Sequence, residues 1–296
     1  MDDMKNNRNV IAIGIFDGVH KGHRRVIETA VETARKTGAM CTVCTFDTAS
    51  VTSKGSSYRP LISDEHKTAL LIGAGADDVY SLDFGGVRDM TAEDFTDKIL
   101  SGTLDAGCVV CGSDFRMGRG AACGTEQLGE ILGQRGIQLL VADDVNMGDM
   151  RISSSRIREY ITNGDIGSAN AFLGWEYSVR GTVVHGNEIG RTIGFPTANI
   201  PLDTSLVIPR YGVYTVYTDI GGSTYKGVAN IGVKPTIEGE RDPLCEVWLK
   251  GFSGVLYGTA LEIRFTRFIR PEMRFDSLEE LREQIGRDKG ALLQGE

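Results

Sequence analysis

The chain has 296 residues, enough for two domains with separate cores. Its 24% charged and 41% hydrophobic residues are ordinary for a globular protein, and a net charge of −8 argues against general binding to nucleic acid or anionic membranes. No apolar run approaches the roughly 20 residues of a membrane span. The N-terminus, MDDMKNNRNV, has no signal-peptide core, so the expectation is a cytoplasmic protein with no membrane or nucleic-acid partner.

Up to about residue 173 the pattern alternates strand and helix. VIAIGIF reads as a strand, followed by a helix ending at Gly38 with Val26, Ile27, Ala30, Val31 and Ala34 at helical spacing. MCTVCTF is a strand, 47–60 a loop, 64–73 a helix and DDVYSL a strand. A helix over 91–101 is capped by Thr91, with Asp94 three positions on. CVVCG is a strand, 124–135 a helix, IQLLVADDV a strand, and 152–174 one or two helices. Such alternation predicts a Rossmann-like open α/β sheet, with ligands at the carboxyl ends of its strands.

From Tyr177 the texture changes. YSVRGTVV, YGVYTVYTDI, TYKGVANIG, CEVWLKG and ALEIRFTRFI are β-rich runs separated by turns, with no helices between them. They predict a small antiparallel β-barrel. A last helix starts at Ser277, where SLEE forms a capping box. The expected domains are 1–174 and 175–296.

Cys41/Cys44 and Cys108/Cys111 each have CxxC spacing. Both pairs sit in short apolar runs that read as buried strands, where cysteine behaves as a small hydrophobe, so no zinc site is expected.

GIFDGVHKGH, 14–23, joins a strand to a helix start. Unpaired N–H groups and the helix dipole favour an anion there, and Gly18 and Gly22 let a phosphate approach the backbone. His20 and His23 are three apart and share a helical face, so both imidazoles can reach one phosphate. The same residues also fit a capped helix with two surface histidines.

In the second half, GNEIGRTIGFPTANI carries Gly186, Gly190 and Gly194 in a segment suited to wrapping phosphates. Thr197 and Asn199 alternate on an extended exit and place two hard oxygen donors on one side, fit for Mg²⁺. A glycine-rich hairpin is the competing reading. Glu246, in CEVWL, is a candidate general base or an outward-facing glutamate on a half-exposed strand.

Together these motifs resemble the bacterial bifunctional riboflavin kinase/FMN adenylyltransferase family along nearly the whole chain. The first half is similar to the nucleotidylyltransferase module at GIFDGVHKGH, GSDFRMGRG, ISSSRIR and NGDIGSANAFLG. The second is similar to the kinase module at GRTIGFPTAN, YGVY, GVANIGVKPT, CEVWL, LYG and IRPEMRFDSLEELREQI.

The resemblance implies two ATP-dependent steps: riboflavin to FMN in the C-terminal domain, then FMN to FAD, with pyrophosphate release, in the N-terminal domain. It implies Glu246 as kinase base, Thr197 and Asn199 as Mg²⁺ ligands, and Gly186, Gly190, Gly194 and Thr197 around the ATP phosphates. For adenylylation it implies His20 and His23 as stabilisers of phosphate charge. Gly14, Phe16, Asp17, Gly22, Ser155, Arg156 and Arg158 would be the ATP contacts, and Asp114, Arg116 and Arg270 would contact flavin. The partners implied are riboflavin, FMN and ATP; an oligomer is compatible with the sequence.

Three positions depart from the family pattern. Ile15 stands where Asn is usual, 46–50 reads FDTAS in place of Phe-x-Pro-His-Pro, and Val255 replaces the Asp before Leu-Tyr-Gly. Losing the amide removes a hydrogen-bonding group, and losing the prolines predicts a less constrained loop. A riboflavin kinase with a weak or inactive adenylyltransferase module, and a flavin- or nucleotide-binding regulatory protein, are the alternative readings.

Overall fold

A computed structural model describes residues 8–51, 58–186, 195–233, 242–290 and 292. Packing divides the chain into two compact units, Met1–Ser154 and Ser155–Glu296.

In the first unit β1 (Asn9–Ile13), β2 (Cys41–Phe46), β3 (Asp78–Leu82), β4 (Ala106–Gly112) and β5 (Gln138–Ala142) form one sheet. Their order is β3-β2-β1-β4-β5, and every neighbouring pair is parallel. The chain winds one way from β1 to β3 and the other way through β4 and β5. The switch point lies between β1 and β4, where an open α/β sheet takes its ligands.

Helix α1 (Lys21–Thr37) follows β1 and buries Val26, Ile27, Ala30, Val31 and Ala34, the apolar face read from the sequence. It ends at Gly38, whose left-handed φ of 69° suits a residue without Cβ. The remaining helices of this unit are α2 (Thr48–Val51), α3 (Asp64–Gly73), α4 (Phe84–Val87), α5 (Ala92–Phe95) and α6 (Thr125–Gly133). Thr91 caps α5 by accepting from the Asp94 N–H at 3.1 Å, and α5 continues over Thr96–Thr103 in π-helical spacing. A small hairpin, β6 (Asn146–Met147) and β7 (Met150–Arg151), closes the unit.

The strands explain the cysteines. Cys41 and Cys108 both stand beside Val10, one on β2 and the other on β4, with β1 between them. Two strand spacings of about 4.8 Å separate the pairs, too far for thiolates at about 2.3 Å from one zinc ion. All six cysteines are buried and unpaired, and burial pushes Cys41, Cys44 and Cys111 up to about 12.

The second unit begins with α7 (Ser154–Asn163) and α8 (Ile166–Leu173), then carries β8 (Ser178–Thr182), β9 (Ala198–Pro201), β10 (Gly212–Ile220), β11 (Ser223–Val233), β12 (Pro243–Leu249) and β13 (Ala260–Arg270). The strand order is β8-β13-β10-β11-β12-β9, antiparallel throughout. The Val184 N–H donates to the Asn199 carbonyl at 2.8 Å, joining the chain just past β8 to β9 and nearly closing the barrel. Gly181 makes that closure possible, because a Cβ there would lie 2.6 Å from Ile200 Cγ2. Helix α9 (Leu278–Gly290) follows β13, with the Ser277 hydroxyl accepting from the Glu280 N–H at 3.2 Å.

The boundary between the units falls ahead of residue 174 because the two helices pack with the barrel. Asn170 Nδ2 donates to the Phe265 carbonyl at 2.9 Å, its Oδ1 accepts from the Tyr177 N–H at 2.8 Å, and the Arg210 N–H reaches the Ile161 carbonyl. No helix among the described residues is long and apolar enough to cross a membrane.

Candidate active sites

The turn after β1 is tightly built. Phe16, Gly18 and Val19 have φ of 52°, 79° and 37°, so two residues with side chains sit in the strained left-handed region. Asp17 is 3% exposed; its carboxylate accepts from the Leu61 N–H at 2.8 Å and the Tyr58 hydroxyl at 3.0 Å. The Asp17 carbonyl accepts from the Ser154 hydroxyl at 2.9 Å. Asp17 therefore ties the turn to two distant segments. The Phe16 ring is buried, covers Gly14, where a Cβ would meet Phe16 Cζ at 3.1 Å, and packs edge-on to His23 at 5.4 Å.

His20 and His23 stack with ring centroids 3.5 Å apart. His20 also caps α1, its Nδ1 accepting from the His23 N–H at 3.2 Å. That bond places the proton of a neutral His20 ring on Nε2. His23 Nδ1 is buried and has no hydrogen-bond partner among the described residues. Burial, reinforced by the neighbouring His20 charge, pushes His23 well below the usual 6.5, so the ring is neutral at pH 7. Gly22 leaves room for the pair, since a Cβ there would lie 3.1 Å from His20 Cε1.

The segment just after β2 forms the short helix α2, held by side-chain hydrogen bonds. Asp64 of α3 accepts from the Thr48 N–H at 3.0 Å and its hydroxyl at 2.9 Å, fixing the start of α2. Lys67, 1% exposed, donates to the Phe46 carbonyl at 2.6 Å and pairs with Asp64 at 2.9 Å. Burial alone raises the Asp64 carboxyl, but the Lys67 and Thr48 bonds and the Lys67 charge hold it below its usual value. Asp47 bonds the Ser81 hydroxyl, and Ser50 bonds the Asp47 carbonyl. Side-chain hydrogen bonds replace ring stiffness. The sequence offered no sign of a buried lysine in DEHKTALL. Ile15, in the turn beside this segment, is 44% exposed.

Asp114 pairs with Arg151 at 3.0 Å, and Arg151 also reaches Asp144 at 3.0 Å. These groups lie beyond the carboxyl ends of β4 and β5. Arg116 donates to the Ala121 and Ala122 carbonyls at 2.7 and 3.1 Å, shaping its own loop. In the second unit, the start of α7 carries Ser155, Arg156 and Arg158, with Arg158 at 3.5 Å from the Ser155 hydroxyl.

The outer face of the barrel gathers the kinase candidates. In β12, Cys245, Val247 and Leu249 turn to the core, leaving Glu246 and Trp248 on the other face. Register sets Glu246 opposite Asn199 of β9 and opposite Asn230 of β11. Directly opposed residues have Cβ atoms about 4.5–5.5 Å apart. Asn199 is 6% exposed; its Nδ2 leans on the Thr197 carbonyl at 3.4 Å, leaving a buried Oδ1 without a hydrogen-bond partner among the described residues. Gly186 covers this amide so closely that a Cβ would sit 2.5 Å from Nδ2 and 2.9 Å from Oδ1. Gly190 and Gly194 lie outside the described residues.

Two further groups frame that face. Lys289 Nζ lies 4.1 Å from the Trp248 ring centroid and 4.6 Å from that of Phe195. Arg270 donates from Nε and a terminal nitrogen to Asp288 of α9, which also receives Gln284 at 2.9 Å. Arg270 thus fastens α9. Val255, beside Leu256 and Tyr257, is 81% exposed.

Comparison with known proteins matches both halves. The FAD synthetase family model covers residues 2–156 and the riboflavin kinase model residues 173–294. The "Bifunctional riboflavin kinase/FMN adenylyltransferase" of Bacillus subtilis is 37% identical, over 95% of this chain and 90% of its own length. The Escherichia coli K12 protein of that name is 36% identical, over 95% of this chain and 90% of its own. A crystal structure named "Macrolide-efflux Protein from Streptococcus pneumoniae" superposes with TM-score 0.87 at 29% identity, covering 97% of this chain and 94% of that one. The chain belongs to the bifunctional riboflavin kinase/FMN adenylyltransferase family.

Proposed function

We infer that the two units run successive ATP-dependent reactions: the barrel phosphorylates riboflavin to FMN, and the α/β unit adenylylates FMN to FAD. The observation that carries the first assignment is the cross-strand pairing of Glu246 with Asn199, whose buried amide oxygen has no hydrogen-bond partner among the described residues. A hard oxygen acceptor held in place beside a carboxylate suits phosphoryl transfer to an alcohol, which rests on alignment and charge neutralisation.

Glu246 accepts the proton of the ribityl 5′-hydroxyl as that oxygen bonds to the γ-phosphorus of ATP and ADP leaves. Asn199 Oδ1 and the Thr197 hydroxyl fit Mg²⁺, which takes oxygen donors and, when bound, neutralises charge on the phosphates. Gly186, Gly190 and Gly194 are assigned to the triphosphate, because glycine-rich segments suit phosphate contacts.

In the second reaction the FMN phosphate attacks the α-phosphorus of another ATP and pyrophosphate leaves. An anionic phosphate oxygen needs no base. His20, with its proton on Nε2, and neutral His23 serve as N–H donors to charge developing on the phosphates. Ser155, Arg156 and Arg158 are assigned to the triphosphate, with arginine suited to bidentate contact. Both reactions are placed in the cytoplasm, where ATP is supplied and thiols stay reduced.

The exposed Ile15 favours one second reading, a kinase whose adenylyltransferase step is weak. Incubation of purified protein with riboflavin, ATP and Mg²⁺, and separately with FMN, ATP and Mg²⁺, distinguishes the two. FMN with ADP in the first mixture and FAD with pyrophosphate in the second support two activities. FMN with ADP but no FAD or pyrophosphate leaves the kinase alone.

A further inference from the structure

We propose that Arg24 is a third phosphate-binding side chain at the start of α1, beside His20 and His23, and that it grips a phosphate group of the adenylylation substrates. This rests on the assignment of adenylyl transfer to the first unit.

Arg24 follows the capping residue His20 by four positions, and its N–H donates to the His20 carbonyl at 2.9 Å. Residues four apart on a helix stand one above the other, and long side chains lean back towards the helix N-terminus. Arg24 therefore leans towards the end of α1 where unpaired N–H groups and the positive pole of the helix favour an anion. His20, Ile27 and Val31 lie on the same stripe and are all buried, so the stripe that carries the arginine faces inward.

The Nε of Arg24 is buried and has no hydrogen-bond partner among the described residues. A charged donor in that condition costs stability, and packing alone would favour a hydrocarbon of the same length. The side chain as a whole is only partly buried, which leaves its terminal nitrogens within reach of a ligand. The other basic residues at this helix start are otherwise placed: Arg25 pairs with Asp143 at 3.5 Å, and Lys21 is exposed. His23 brings a ring nitrogen that also lacks a partner among the described residues, but at pH 7 it brings no charge. A phosphate has acceptor oxygens for both residues, and a guanidinium binds it through Nε and a terminal nitrogen together.

The test measures FAD and pyrophosphate formation from FMN and ATP in wild-type, Arg24→Met and Arg24→Lys proteins. Riboflavin phosphorylation and the thermal unfolding midpoint are followed on the same preparations. Arg24→Met is expected to lower kcat/KM for adenylylation about 10- to 100-fold and to leave riboflavin phosphorylation unchanged. Its midpoint is expected to match or exceed that of the wild type, because an unpartnered buried donor has been removed. Arg24→Lys keeps the charge without the fork, so it is expected to retain part of the rate, and it gives the same comparison if the methionine variant does not fold. A raised KM for ATP alone supports a grip on the triphosphate, and a raised KM for FMN alone supports a grip on the FMN phosphate. Unchanged adenylylation in both variants, or a lowered midpoint with equal losses of both activities, overturns the role of Arg24 and leaves the adenylyltransferase assignment standing. Absence of FAD from FMN in the wild type overturns that assignment and the proposal with it.

Discussion

Arg270 grips Asp288 with two nitrogens, Nε at 3.0 Å and a terminal nitrogen at 2.7 Å, and so bolts the last helix to the last barrel strand. Asp288 is 4% exposed, which makes the pair costly to break from one side. Asp288→Ala leaves a guanidinium uncompensated and is expected to cost about 3–5 kcal/mol. Chemical denaturation followed by Trp248 fluorescence measures it; a loss under about 1 kcal/mol would show that α9 is held by other contacts.

Gly186→Ala tests the placement of Asn199. The added Cβ would fall 2.5 Å from Nδ2 and must displace the amide. Misplacing a catalytic group by about 1 Å can cost 100-fold, so FMN formation should fall by about that factor while adenylylation of supplied FMN is unchanged. Equal kinase activity in the variant would remove Asn199 from the mechanism.

Gly22→Ala is the corresponding change in the first unit. The new methyl would press on the His20 ring at 3.1 Å and tilt the stacked pair. FAD formation from FMN should drop roughly 10- to 100-fold with riboflavin phosphorylation untouched. Alanine is a better helix former than glycine, so a helix effect alone would not weaken the protein. Helical circular dichroism and both rates, measured on one preparation, separate the effects.

The buried His23 gives stability a defined pH dependence. Its folded pKa lies below the unfolded 6.5, so the unfolded state binds more protons as the medium acidifies. The contribution is fully present above about pH 6.5 and is lost as pH falls towards the folded value, at up to about 1.4 kcal/mol per pH unit. Denaturation midpoints between pH 5 and 8 should fall on acidification in the wild type and fall less in His23→Gln. Identical slopes would contradict the burial argument.

Lys67→Met removes a buried side chain that bridges Phe46 and Asp64, with bonds to the carbonyl and the carboxylate. The Phe46 carbonyl loses its lysine donor, and the 41% exposed Asp64 carboxylate keeps its Thr48 bonds, for an expected loss of about 1–3 kcal/mol. Limited proteolysis near residues 46–51 should speed up; an unchanged cleavage rate would show that Thr48 and Asp47 suffice.

Much of the architecture was legible because its periodicities are strong. The apolar spacing in α1, the Thr91 and Ser277 caps, and the alternation in β10 to β13 all correspond to local physics. What escaped was set by distant partners. β9 is only a four-residue strand, formed by pairing with β12, and ANIP alone carries too little pattern to announce it. The order of the sheet, the burial of Lys67 and the capping role of His20 depend on segments far away or on ring orientation. Arg270 shows what distant partners add: the resemblance implied a flavin contact, and the fold adds a pairing of its guanidinium with Asp288 that no local pattern announced. Thr197, Asn199 and Glu246 were legible as types, and strand register supplied the pairing of Asn199 with Glu246.

The central claim is that one chain carries two separable ATP-dependent activities. Its most direct test is FAD and pyrophosphate formation from FMN and ATP in wild-type, Glu246→Gln and His23→Ala proteins, with FMN and ADP formation from riboflavin followed in parallel. The account predicts that Glu246→Gln loses only the first step and His23→Ala only the second. Absence of FAD from FMN in the wild type, or joint loss of both activities in either variant, would contradict it.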